Sequence, residues 1–100
     1  MRSFVLTVKA KADLKSIASY TENRWGKEQR NLYIKQMDEA FRRLADEPLT
    51  GKVCDYIREG YRKIPQGSHL VFYRRINDGD IEILRILHKS MDVDSKLINP

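Results

Sequence analysis

The sequence predicts an α+β domain of order β-αα-βββ, an antiparallel C-terminal β-meander packed against an N-terminal helical hairpin. Three observations predict it. Hydrophobic periodicity changes near residue 10 from alternation to steps of three and four. Two helical stripes are separated only by Gly26, a residue suited to a helix stop because it takes a left-handed backbone without a Cβ clash. After residue 58, three runs rich in β-branched and aromatic residues are punctuated by Gln66-Gly67-Ser68 and Asn77-Asp78-Gly79, turn sequences short enough for hairpins. With 100 residues there is room for one hydrophobic core, so residues 1–100 are read as a single domain.

The elements follow in order. Phe4, Leu6 and Val8 alternate with Ser3, Val5 and Thr7, which predicts a strand over 2–8. Leu14, Ile17, Ala18, Thr21 and Trp25 form the stripe of a first helix beginning near Ala10. Trp25 closes that stripe, the place of a core residue at the hairpin corner. The second helix begins near Lys27 and buries Tyr33, Met37, Ala40, Phe41 and Leu44. Asp38 with Arg42 and Glu39 with Arg43 are four apart, acid first, the favourable order for surface pairs. Pro48 disfavours helical geometry at Glu47, so this helix ends near Ala45 or Asp46. So short a link makes the helices antiparallel. Residues 48–57 read as a loop, with strands at 59–65, 68–76 and 80–87. The last, Ile-Glu-Ile-Leu-Arg-Ile-Leu, is apolar at nearly every residue, which predicts a central position with both faces covered. Residues 89–100 read as a poorly ordered tail, from which Met91 and Leu97 can pack back.

Composition narrows the function classes. Hydrophobic residues make up 41% and charged residues 33%, which is globular and not disordered. The net charge of +5 favours an acidic partner, nucleic acid or protein, without choosing between them. Cys54 is the only cysteine, so there is no intrachain disulfide and no cysteine-based metal site; it reads as a small half-buried loop residue. No nucleotide-binding glycine loop and no His-Glu-x-x-His motif is present. His69 and His88 alone do not make a catalytic metal site. No cofactor is expected. The N-terminus lacks a signal-peptide core, and no apolar run approaches a membrane span of about 20 residues. The chain is therefore expected to be soluble and cytoplasmic, with no membrane partner.

The chemistry-bearing residues gather between Arg58 and Asp92. Basic groups on a small sheet can grip an acidic protein, grip nucleic acid or cleave RNA through its 2′-hydroxyl. Cleavage needs a base, an acid and cations for the phosphate charge. Lys63, Arg74, Arg85 and His88, with Tyr73, are the right types on neighbouring strands. Each also has a structural reading: Arg85 as a paired guanidinium, Tyr61 and Tyr73 as core aromatics with hydroxyls at the rim, His88 as a hydrogen-bonded strand-end histidine.

Four segments, in order and at compatible spacing, carry a family resemblance: Lys9–Thr21 with Arg24–Gly26, then Arg58–Lys63, Gly67–Tyr73 and Arg85–Asp92. Nearly the whole chain resembles the ParE toxins, a branch of the RelE/ParE superfamily of bacterial type II toxin–antitoxin systems. The resemblance implies a RelE/ParE-like fold. It implies poisoning of DNA gyrase by stabilising the cleaved gyrase–DNA complex, so that the protein is an inhibitor of an enzyme and not itself one. It also implies a ParD-like antitoxin whose C-terminal segment folds onto the toxin, operator DNA being bound only through the antitoxin, with a dimer or a larger toxin–antitoxin assembly as possible states. Trp25, Tyr33, Arg58 and Tyr61 are the antitoxin contacts expected from exposed edges of hairpin and sheet. The alternative is a RelE-like ribosome-dependent mRNA endonuclease using Lys63, Arg74, Arg85 and His88. Two departures weigh against it: His88 is followed by twelve more residues, and no glutamate occupies an evident base position on the sheet.

Overall fold

In the computed structural model, which describes residues 3–77 and 79–91, a helical hairpin covers one face of a five-stranded sheet. The elements are β1 (Phe4–Leu6), α1 (Val8–Trp25), α2 (Lys27–Asp46), β2 (Lys52–Val53), β3 (Arg62–Gln66), β4 (His69–Arg75) and β5 (Ile81–His88). Strand order is β1-β5-β4-β3-β2. Strands β2 to β5 form the antiparallel meander, and β1 joins β5 in parallel.

The first strand is shorter than its alternation predicts. Thr7 ends it by becoming the N-cap of α1: its hydroxyl accepts the Ala10 N–H at 3.0 Å and donates to the Leu84 carbonyl at 2.8 Å. Val8, which continues the alternating pattern, is therefore the first helical residue and is exposed. Gly26 stops α1 as expected, with φ of +94° and its N–H on the Glu22 carbonyl. Helix α2 ends at Asp46, just before Glu47 and Pro48. Of the two predicted helix-surface pairs, Asp38–Arg42 forms, at 2.8 Å; Glu39–Arg43 is not an ion pair. Strand β2 was not anticipated: it is a two-residue edge inside the segment read as loop.

Ile17, Met37, Phe41 and Leu44 from the helices meet Val71, Tyr73, Ile81, Ile83 and Ile86 from the sheet in the main core. On the opposite face, Phe72, Leu87 and Cys54 form a second cluster beneath Ile57 and Tyr61 of the segment between β2 and β3. Cys54 is thus fully buried, not half-buried. A β-bulge joins the two clusters in sequence. Phe72 opposes Arg85 while Tyr73 opposes Ile83, so β5 carries one extra residue near Leu84. The bulge resets the alternation: Ile81 and Ile83 face the helices before it, and Ile86 faces them after it. This phase change explains the almost unbroken apolar run of β5. Tyr73 lies wholly inside the main core. Its phenol, expected at the rim, donates to the Pro48 carbonyl and accepts the Gly51 N–H, both at 2.8 Å. Of the predicted tail, residues 89–91 form a turn; Leu97 lies outside the described residues.

Candidate functional site

A groove of about 900 Å³ opens where the hairpin overhangs the far ends of β4 and β5. Helix α1 contributes Ile17, Tyr20 and Trp25, helix α2 contributes Tyr33, and the sheet contributes His69, His88 and, just beyond β5, Met91. Trp25 corrects the sequence reading: it is not a core corner residue but 64% exposed, with the Arg24 guanidinium 5.6 Å from its ring. A large, mostly apolar groove edged by exposed aromatics is the kind of surface that a partner segment covers.

Polar groups are fixed along the groove floor. His69 and His88 are directly opposed across β4 and β5, with rings edge to face at 5.4 Å. The Tyr33 hydroxyl lies 2.7 Å from His69 Nδ1 and accepts the Ser68 N–H at 3.2 Å. It also donates to the Gln66 carbonyl, 3.1 Å away. The Ser90 N–H donates to His88 Nδ1, with Ser90 Oγ 2.7 Å from the same nitrogen. His88 is therefore a hydrogen-bonded strand-end histidine, though an exposed one. Burial first, and then the neighbouring His88, push the His69 imidazole below its ordinary range; Asp13 pulls the other way.

The candidate cleavage residues do not converge. Lys63 opposes Phe72, and Arg74 follows Phe72 by two, so both belong to the sheet face away from the helices. His88 follows Ile86 by two and belongs to the helix face. Arg85 sits at the bulge and is drawn to the sheet margin by Asp13 of α1. The Asp13 carboxylate takes its Nε at 2.7 Å and Nη2 at 2.9 Å, and also the Ile86 N–H at 3.0 Å. These hydrogen bonds hold the guanidinium above its ordinary pKa against the opposing effect of partial burial. Arg85 is the paired structural guanidinium of the alternative reading. Arg74 is also engaged, by Glu82 at 2.9 Å, so the sheet does carry a glutamate, in an ion pair. Burial raises the Tyr73 phenol, which stays protonated at neutral pH.

The four expected antitoxin contacts also divide. Trp25 and Tyr33 share the groove. Tyr61 packs on the opposite cluster, and the exposed Arg58 is in the same segment. Sequence reasoning missed Tyr20 in the groove and had Met91 only as a tail residue that packs back. Tyr20 falls off the buried stripe of α1, and that was the available signal. Among the described residues no group of three or more His, Cys, Asp or Glu could hold a metal ion, and no helix is long and apolar enough to cross a membrane.

Residues 4–93 match the family model described as the ParE toxin of the type II toxin–antitoxin system parDE. The chain is 43% identical over 94 residues to Toxin ParE1 of Mycobacterium tuberculosis, spanning 94% of this chain and 96% of that one. It is 39% identical over 97 residues to Toxin ParE1 of Caulobacter vibrioides, spanning 97% and 99%. Among solved structures, a chain of the chromosomal ParDE system of P. aeruginosa superposes with a TM-score of 0.72 at 24% identity, over 88% of this chain and 96% of that one. A chain of the toxin–antitoxin complex RelBE2 from Mycobacterium tuberculosis gives 0.59 at 25%, over 88% and 98%. The α+β, RelE/ParE-like fold expected from the sequence is the fold observed.

Proposed function

The chain belongs to the ParE toxins of type II toxin–antitoxin systems, and from that premise we propose that it acts by poisoning DNA gyrase, stabilising the cleaved gyrase–DNA complex. The single observation that carries this reading is the family match over residues 4–93. The division of the candidate cleavage residues supports docking over turnover: Lys63 and Arg74 are on one face, His88 on the other, and Arg85 is neutralised by Asp13.

The groove beside the hairpin is the docking site for the C-terminal segment of a ParD-like antitoxin, with Trp25 and Tyr33 as contacts. An acidic amphipathic helix suits it: apolar side chains meet Tyr20, Trp25 and Met91, while carboxylates answer the chain's +5 charge. Arg58 and Tyr61, on the opposite face, join this contact only if the antitoxin continues around the sheet edge. Residues 1–100 act as one unit in this reading.

The test is purified gyrase with supercoiled plasmid and ATP. Linear DNA released by detergent in proportion to added protein is the expected result. Normal supercoiling with no trapped cleavage would overturn the reading. Codon-positioned cuts in a translation extract, lost in His88→Ala, would replace it with the ribosome-dependent nuclease.

A further inference from the structure

The sheet face away from the groove carries a local conflict. Lys52 of β2 and Lys63 of β3 are directly opposed partners in the antiparallel ladder. Directly opposed residues share a face with Cβ atoms about 4.5–5.5 Å apart, and like charges so placed repel. Among the described residues neither ammonium has an ion-pair partner. Among the described residues the Lys63 Nζ has one hydrogen-bond partner, the Tyr56 hydroxyl at 3.4 Å, and Tyr56 is itself 64% exposed. The adjacent Arg62 is turned away, its guanidinium donating to the Gly51 and Leu49 carbonyls. A lysine on the two-residue edge strand has a bland explanation, since edge charges deter strand-to-strand aggregation. That explanation covers Lys52 alone. Lys63 is on an interior strand, where an acid or a threonine opposite Lys52 would protect the edge equally well without repulsion.

We propose that Lys52 and Lys63, with Tyr56 beside them, form a binding site for the phosphodiester backbone of nucleic acid, on the sheet face opposite the antitoxin groove. Two flexible ammoniums supply point charges to phosphate oxygens, and an exposed aromatic adds a sequence-tolerant surface. That the nucleic acid is the DNA held by gyrase rests on the function proposed above.

The experiment uses Lys52→Glu, which places a carboxylate opposite Lys63 and converts repulsion into a cross-strand pair. The thermal midpoint should hold or rise, so lost binding cannot be ascribed to misfolding. In a titration with a short DNA duplex followed by NMR, amide shifts at Lys52, Tyr56 and Lys63 are expected, and Lys52→Glu should abolish them. For the parent protein the slope of log affinity against log salt should be about −1.8, the value for two neutralised phosphates. Shifts confined to other surfaces, or shifts that persist in Lys52→Glu, overturn the proposal. Weakened binding of the antitoxin by Lys52→Glu also overturns it, assigning the lysines to an acidic protein segment. With gyrase, Lys52→Glu should lose trapped cleavage while keeping antitoxin affinity. A parent protein that binds duplex at this site but traps no cleavage refutes the gyrase reading and leaves the phosphate site standing.

Discussion

Asp13→Ala is expected to damage the molecule about as much as a core truncation, although Asp13 lies on a helix outside the main hydrophobic contacts. Its carboxylate accepts three hydrogen bonds, two from Arg85 and one from the Ile86 N–H. It stands where β1 has ended, so it replaces the missing strand along the second half of β5. Truncation strands a guanidinium only 18% exposed and an unpaired edge N–H. Breaking one side of a buried ion pair costs about 3–5 kcal/mol, and the residual exposure of both partners places this case at the low end, about 3 kcal/mol. For a domain of this size each kcal/mol moves the midpoint by about 4–8 °C, so the melting temperature should fall by roughly 15 °C. Asp13→Asn keeps one acceptor oxygen and should cost about half as much. Adding Arg85→Leu to Asp13→Ala removes the stranded charge and should recover at least about 1 kcal/mol. Urea denaturation of the four proteins measures these differences. An Asp13→Ala variant within about 0.5 kcal/mol of the parent would refute the assignment of Arg85 as a structurally held guanidinium.

Three further outcomes are expected. Tyr73→Phe leaves the Gly51 N–H and the Pro48 carbonyl without their buried partner and should cost about 2–3 kcal/mol in urea unfolding, loosening the segment that carries β2. Stability should fall with acidification: the unfolded His69 takes up a proton near pH 6.5, whereas burial and His88 resist it in the fold, outweighing Asp13, with the Tyr33 hydroxyl on Nδ1. The contribution is whole above about pH 6.5 and is lost as pH drops through the depressed folded value; His69→Gln should flatten the urea midpoint against pH over that window. Trp25→Ala should leave unfolding within about 0.5 kcal/mol, because the ring is exposed. The same change should weaken antitoxin binding by about 2 kcal/mol, roughly 30-fold, measured by calorimetry.

The helical hairpin was legible because its signals are local. The stripes of α1 and α2, Gly26 and the Glu47-Pro48 stop each act within a few residues. The strands were legible as elements but not in their pairing. Parallel docking of β1 on β5 brings together residues nearly 80 positions apart, such as Phe4 and Ile81, and no short-range pattern encodes that contact. The two-residue β2 falls below the length at which alternation exists. Thr7 misled because one residue serves as strand end and helix cap at once, and only the Leu84 carbonyl it reaches decides where the strand stops.

The site was harder to read than the fold because its logic depends on parity. Lys63, Arg74, Arg85 and His88 sit on three adjacent strands and look like one constellation in sequence. Whether side chains meet depends on which face each strand presents, and the bulge near Leu84 inverts that phase halfway along β5. If β5 kept every residue and alternated strictly, with no bulge, Arg85 would follow Ile83 toward the helices and Ile86 would turn away from the core. With the bulge, Arg85 is left at the margin, within reach of Asp13, while His88 joins His69 in the groove. The bulge therefore does two things at once. It ties the basic residue most suggestive of phosphate chemistry into an ion pair, and it places His88 on the helix face, away from Lys63 and Arg74. Deleting Leu84 would make the separation of the two faces testable: Ile86 would then follow Ile83 by two and still face the helices, Arg85 would stay off the helix face, and no cleavage site should assemble.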